Sequence, residues 1–277
     1  MQYGNRFNLG DRALTAEIPI IMGIVNVTPD SFSDGGEFFD ADLAIRHGIQ
    51  LAAEGANILD IGGESTRPGA VSPDTDEELR RVIPVISALS ELENISVSID
   101  TSNPKVMTAA VAAGASMIND VRALQNRGAL QAAKDCDVPV CLMHMQGQPQ
   151  TMQNTPFYEN VVAEICVFLQ QRINACIVAG IKRENIILDP GFGFGKNLAH
   201  NLTVLKKIST FKDLGYPVLA GLSRKSMIVK LLGYEPDSRL TSSIILALRA
   251  AENGASIIRV HDVKETIEGF MLSQSIS

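Results

Sequence analysis

Three helical stretches of this chain end in the same short phrase, and each phrase runs straight into an apolar segment. The phrases are Glu54-Gly55-Ala56-Asn57, Ala113-Gly114-Ala115-Ser116 and Asn253-Gly254-Ala255-Ser256. Each puts glycine where a helix stops, the residue that takes a left-handed turn without steric cost. Ala179-Gly180-Ile181 is a looser fourth case. The phrases mark a repeated change from helix to buried strand. Short apolar runs recur at Ile20–Val25, Asn57–Ile61, Ile95–Ile99, Ser116–Ile118, Val138–Met143, Asn185–Leu188, Pro217–Ala220 and Ser256–Val260. Between them lie stretches of 3.6-residue periodicity, including Leu43–Glu54, Glu77–Glu91, Pro104–Ala113, Tyr158–Ala179 and Thr241–Asn253. About eight strands alternating with helices, with no linker or compositional break, predict a single-domain α/β fold over residues 1–277, a (β/α)8 TIM barrel. A doubly wound open sheet is the alternative.

Every one of the eight runs leads into polar residues: Asn26, then Asp60, then Asp100, then Asn119-Asp120, then His144, then Asp189, then Ser223-Arg224-Lys225, and last Arg259 and His261. In a barrel these positions converge at the C-terminal face, where such folds carry their chemistry. The types are sorted. Carboxylates and an amide come from the third, fourth and sixth runs. Cations come from the last two, and Arg67 stands in the loop after the second.

Composition fits this fold. The chain has 277 residues with 45% hydrophobic, 5% aromatic and no Trp, so branched and small aliphatics must fill the core, as buried parallel sheet requires. Lys and Arg number 24 against 31 Asp and Glu, a net charge of -7, which argues against a general nucleic-acid binder. An anionic small substrate stays compatible, because a few cations can dominate one cleft. Cys136, Cys141, Cys166 and Cys176 form no C-x-x-C pair and read as thiols in a reducing compartment. No apolar run approaches the roughly 18 residues of a membrane span, and the opening MQYGNRFNLGDR lacks a signal-peptide core. A cytoplasmic protein without membrane contact is the expectation.

Four loops carry candidate chemistry. Asn26 to Gly36 exceeds a plain strand-to-helix connection and reads as a lid that includes Thr28, Pro29, Asp30, Ser31 and Phe32, or else as an ordinary surface loop. Gly62 to Gly69 joins backbone-exposing glycines to Arg67, suited to gripping an oxyanion. Asp189-Pro190-Gly191-Phe192-Gly193-Phe194-Gly195-Lys196 matches neither phosphate-loop spacing, leaving a strand-ending carboxylate and a flexible glycine loop carrying Phe194. Arg259 and His261 share one side of an extended strand; a buried Arg there needs an anionic ligand or a neighbouring carboxylate to balance it. Together these features suggest a cleft with a cationic end suited to phosphate or diphosphate, and a carboxylate-amide end suited to a flat nitrogen heterocycle.

The chain strongly resembles the dihydropteroate synthases, the folate-pathway family that sulfonamides target. The likeness runs from about residue 20 to 270, through Met22–Gly36, Asp60–Gly69, Ile118-Asn119-Asp120, Asp189–Lys196, Ser223–Ser226 and Arg259–Val263. The resemblance implies a homodimer, with late helices as its expected surface, and Mg2+ as cofactor. It implies joining of 4-aminobenzoate to a 6-hydroxymethyl-dihydropterin diphosphate. Carried over by motif, Asp100, Asn119, Asp189 and Lys225 hold the pterin, with Met143 and Phe194 packed near it. Arg67, Arg259, His261 and Asn26 surround the diphosphate, Asn26 also standing near the metal. Thr66, Pro68 and Ser223 flank the aminobenzoate. Asp100, Lys225, Arg259 and His261 are the expected catalytic groups. A pterin-binding methyltransferase domain, or a non-catalytic pterin carrier, would share the carboxylate end.

Overall fold

The computed structural model describes residues 5–9, 12–16, 18–27, 37–64, 73–147, 152, 153 and 155–276. The repeated glycine phrase is the unit from which the fold is built. At each site the glycine is left-handed, with φ +105° at Gly55 and +113° at Gly114 and Gly254. The following alanine N–H then closes the helix end, Ala56 onto Leu51 O at 3.0 Å, Ala115 onto Ala110 O at 2.9 Å and Ala255 onto Ala250 O at 3.0 Å. The next amide already belongs to the sheet: Asn57, Ser116 and Ser256 donate to Ile21 O, Val97 O and Val218 O on the preceding strand at 2.9, 2.8 and 2.8 Å. Three residues thus convert a satisfied helix terminus into the first rung of a parallel ladder.

The chain opens with an antiparallel hairpin, β1 (Asn5–Leu9) and β2 (Arg12–Ala16), paired from Asn5 opposite Ala16 to Leu9 opposite Arg12. The periodicity search does not find it; the Gly10-Asp11 dipeptide between the two is its sequence signal. The barrel strands follow as β3 (Ile20–Asn26), β4 (Ile58–Gly62), β5 (Ser96–Asp100), β6 (Met117–Asp120), β7 (Val140–Met143), β8 (Ile186–Asp189), β9 (Leu219–Ala220) and β10 (Ile257–Val260). Each of the eight coincides with an apolar run read from the sequence. Neighbours in the ring are neighbours in the chain, all parallel, and β10 pairs with β3. One bridge, Leu188 to Val218, joins β8 to the β9 side and closes the ring. The expected (β/α)8 barrel is therefore the architecture.

The helices are α1 (Glu37–Ala53), α2 (Thr75–Leu89), α3 (Pro104–Ala112), α4 (Ala129–Cys136), α5 (Val161–Ala179), α6 (Leu198–Lys206), α7 (Ile208–Lys212), α8 (Met227–Leu232), α9 (Leu240–Glu252) and α10 (Val263–Ser275). They bury one face against the strands, forming the large outer core. A second, small core lies inside the ring: Ile20, Met22, Ile58, Met117, Cys141, Ile187, Leu219 and Ile257. Apart from Cys141 these are aliphatic or Met side chains, as a core without Trp demands.

One expectation needs correction. The helix α5 is 19 residues long and, by length and composition alone, apolar enough to cross a membrane. Its buried side chains Val161, Ile165, Leu169, Ile173 and Cys176 recur at helical spacing and pack on the barrel. Glu164, Gln170, Gln171, Arg172 and Asn174 interrupt the apolar sequence, so no continuous run marks the helix.

Candidate active site

Strand side chains alternate between the two faces of a sheet. The inner core residues therefore identify the interior face of each strand, and two residues further on the same face reaches the C-terminal mouth. From Ile58 the parity leads to Asp60, from Met117 to Asn119, from Cys141 to Met143, from Ile187 to Asp189 and from Ile257 to Arg259. In β5 the same face carries Ser96, Ser98 and Asp100, set by the pairing of Ile58 with Ser96 and of Gly62 with Asp100. The polar strand ends thus point into one mouth because they continue the rows that plug the barrel below.

Arg259 is the centre of the mouth. Its Nε donates to Asp60 Oδ2 at 2.6 Å and its Nη2 to Asp100 Oδ2 at 3.0 Å. The balance that a buried Arg needs is thus supplied by two carboxylates of this chain. Asp60 is fully buried and also accepts from Asn119 Nδ2 at 3.0 Å. Its Oδ1 has no hydrogen-bond partner among the described residues, nor do the buried hydroxyls of Ser96 and Ser98. Burial, followed by the nearby Asp60 carboxylate, pushes the Asp100 carboxyl well above its ordinary range, against the pull of Arg259.

Asp189 stands at the other side of the mouth, buried, with Oδ1 accepting from Gly191 N at 2.7 Å. Burial raises its pKa, opposed chiefly by Lys225. Lys225 donates to Phe192 O and lies over the Phe194 ring, 4.7 Å from its centroid. Burial lowers its ammonium to about 8, with Asp189 opposing. Arg224, with φ +57°, turns away and pairs with Asp262. The Ser223-Arg224-Lys225 cluster therefore splits, one cation to the mouth and one to the outside. Ser223 Oγ lies 2.9 Å from His261 Nδ1 and accepts from His261 N at 3.2 Å.

Met143 is buried and pairs in register with Asp189. Asn26, ending β3, faces Asp100 across Gly62: a Cβ on Gly62 would stand 3.8 Å from Asn26 Oδ1 and 3.7 Å from Asp100 Cβ. Among the described residues no cluster of three or more His, Cys, Asp or Glu could cage a metal. A Mg2+ ion carried on a diphosphate needs only one or two protein oxygens besides water and phosphate. The carboxamide oxygen of Asn26 fits that limited demand. Thr66, Arg67, Pro68 and the lid residues Thr28, Pro29, Asp30, Ser31 and Phe32 lie outside the described residues.

Two features depart from the sequence reading. The glycine loop is not a loose connection, because side-chain donors hold its carbonyls in place, and Lys196 is buried beneath it with only 2% exposure. Asp60 is central to the site although the sequence reading gave it no role. Its signal was its parity with Ile58 and its place at a strand end, the same signal that marks Asp100.

The chain matches the family described as "Pterin binding enzyme" over residues 22–261. It is 49% identical to the dihydropteroate synthase of Escherichia coli K12 over 257 residues, 93% of this chain and 91% of that one. Its fold superimposes on a Xanthomonas albilineans dihydropteroate synthase solved with 4-aminobenzoic acid with a TM-score of 0.91, at 51% identity over 98% of this chain and 97% of the other. A second structure of the Xanthomonas albilineans enzyme, solved with 7,8-dihydropteroate, gives a TM-score of 0.89 at 48% identity over 98% of each chain. Polar strand ends converging on one barrel mouth, and near-full-length likeness at about half identity, place this chain in the dihydropteroate synthase family of pterin-binding enzymes.

Proposed function

We propose that this protein joins 4-aminobenzoate to (7,8-dihydropterin-6-yl)methyl diphosphate, giving 7,8-dihydropteroate and diphosphate. The observation that carries the reading is the Asp60–Arg259–Asp100 bridge beside Asn119 and Asp189: hydrogen-bonding edges and a cation share one mouth. Relatives of about half identity solved with 4-aminobenzoic acid and with 7,8-dihydropteroate support it.

Asp100, Asn119, Asp189 and Lys225 take the polar edge of the pterin, with Met143 and Phe194 against its faces. Arg259, His261, Arg67 and Asn26 surround the diphosphate. Thr66, Pro68 and Ser223 flank the aminobenzoate, and the loop through Thr28, Pro29, Asp30, Ser31 and Phe32 closes over both substrates. The C–O bond to diphosphate breaks with its electron pair leaving on oxygen, and the cations stabilise that charge as it develops. The methylene carbon becomes positive, the electron-rich dihydropterin spreads that charge, and Asp100 in its ionised form favours it. The aminobenzoate nitrogen gives its lone pair to the carbon, and its proton passes to the departing diphosphate or to water. No covalent enzyme intermediate is needed. Asn26 would hold Mg2+ on the diphosphate, where the ion neutralises leaving-group charge.

The protein works as a cytoplasmic homodimer in this reading. Its four cysteines are free thiols, and Ile245 on α9 with Met271 and Leu272 on α10 leave large apolar side chains exposed on packed late helices. Light scattering on the purified protein tests the dimer.

The activity is tested by mixing the pterin diphosphate with 4-aminobenzoate and Mg2+. Diphosphate release that requires both substrates is expected. Pterin binding without release would overturn the synthase reading in favour of a carrier or methyltransferase domain.

A further inference from the structure

The loop Gly191–Gly195 between β8 and α6 is held by side-chain donors from Lys196 directly after it and from more distant parts of the chain. Its five successive carbonyl oxygens each accept from a side chain. Gly191 O accepts from Lys196 Nζ at 2.9 Å, Phe192 O from Lys225, Gly193 O from Gln153, Phe194 O from Lys196 Nζ at 3.0 Å and Gly195 O from Tyr158 OH at 2.9 Å. Gly193 N donates to Asn201 Oδ1 on α6 at 2.8 Å. The glycines alternate in the left-handed region, and a Cβ on Gly191 would stand 1.9 Å from His144 O. The loop therefore lies flush against the segment that follows β7.

Lys196 contributes two of these five contacts. Its Nζ also lies 2.9 Å from His144 Nδ1 and 3.4 Å from His144 O. A buried amine is costly unless its hydrogen-bonding capacity is met. Met would fill the same volume without that cost. What Lys supplies is a long stem ending in a tetrahedral head that reaches several acceptors at once. Here those acceptors belong to two strand ends: His144 follows Met143 of β7, and Gly191 follows Asp189 of β8, while Met143 and Asp189 pair in register.

We propose that Lys196 is a positioning residue for the pterin substrate: its amine ties His144 to the Gly191 and Phe194 carbonyls and so sets the wall formed by Asp189, Phe192 and Phe194 against Lys225. The inference rests on reading the Asp189–Lys225 side as the pterin subsite. Burial carries the amine well below its ordinary range against the pull of Asp189. His144, pushed to about 3 first by burial and then by Lys196, is a neutral imidazole. The contact is therefore an uncharged ring against a buried amine. In the ring order β8 stands opposite β4, whose following loop carries Thr66 and Pro68 in sequence, and Ser223, the third group assigned to the aminobenzoate, is tied to His261 after β10 and not to the glycine loop. A disturbance under the glycine loop should thus reach one substrate and spare the other.

The test is Lys196→Met with KM measured for both substrates, pterin affinity measured by calorimetry, and Asp189→Asn in parallel. A rise of about tenfold in KM for the pterin diphosphate is expected, with KM for 4-aminobenzoate unchanged. A lower melting temperature is expected as well, because the Gly191 and Phe194 carbonyls lose their donor. Unchanged pterin KM, or equal rises in both KM values, overturns the proposal. If Lys196→Met does not fold, Tyr158→Phe decides through the same loop: a pterin KM about fivefold higher supports the proposal, and wild-type values overturn it. Wild-type pterin affinity in Asp189→Asn would instead show that the subsite reading itself fails.

Discussion

Arg259 and Asp60 meet at 2.6 Å inside the barrel although 199 positions separate them in the chain. The pair closes a three-group bridge, because Arg259 also reaches Asp100 at 3.0 Å. Two of the five guanidinium N–H groups are thereby committed to carboxylates, and the rest remain to meet an anion. One side chain thus joins the heterocycle end of the mouth to its anion end.

Arg259→Ala should lose both functions at once. Turnover should fall by about a thousandfold, as when a donor aimed at developing negative charge is removed. Stability should fall by about 3 kcal/mol, because Asp60 and Asp100 are left buried near each other without their cation. Urea unfolding and steady-state kinetics check the two arms. Wild-type kinetics in a folded variant would remove Arg259 from the reaction.

Asp189→Ala should lose pterin binding while the fold survives. Among the described residues its Oδ1 accepts from the Gly191 amide, at 2.7 Å, so the structural share is that hydrogen bond and the nearby charge of Lys225. Calorimetry with a pterin analogue is the measurement, and unchanged affinity would contradict the assignment.

Glu78 gives a pH-dependent stability prediction away from the reacting groups. It is 4% exposed on α2 and accepts from Thr101 Oγ1 at 2.5 Å. Burial raises its pKa from 4.5 to about 6, against the Thr101 hydrogen bond. The folded state then holds its proton more tightly than the unfolded state. Its contribution is complete below about pH 4.5 and is lost as the pH rises through about 6. Glu78→Gln should gain about 1–2 kcal/mol over wild type above that window, and little below it. Melting curves at pH 4.5 and pH 7.5 compare the two.

Asp120→Ala should destabilise the β6–α4 connection by about 3 kcal/mol. Asp120 is fully buried and accepts from Ser102 Oγ, from Arg122 N at 2.8 Å and from Leu124 N at 2.7 Å. These bonds hold Ala123 and Leu124 at φ +52° and +57°, a conformation that costs energy outside glycine. Denaturant midpoints measure the loss. Asp120→Asn, which keeps acceptor capacity, should lose less.

The barrel was legible because its signals are local and repeated. A glycine at the end of several helices and the recurring aliphatic runs locate the strands, and the strand ends then supply Asp100, Asn119, Asp189 and Arg259 by position alone. What pairs with what was not legible. That Arg259 spends itself on Asp60 depends on the ring bringing β10 within reach of β4 across β3, which no spacing within the sequence encodes. The glycine loop was read as flexible for a related reason. A Gly-Phe-Gly-Phe-Gly run looks pliable from composition, while its donors Lys196, Tyr158, Gln153 and Lys225 come from several segments. The hairpin β1–β2 was missed because each strand has only five residues and few apolar ones, too short a stretch to stand out from a polar segment.

The single bridge between Leu188 and Val218 has a consequence for how the molecule comes apart. The ring is thinnest around β9, which pairs with β10 at two positions and is joined to β8 through that one bridge, and local opening is favoured where the fewest bonds must break. Asp189 lies one residue beyond Leu188 on one bank of that join. On the other bank, Lys225 reaches across to the Phe192 carbonyl. A molecule gripping both banks acts as a clasp on the barrel's own seam, so occupancy and resistance to opening are one property measured in two ways.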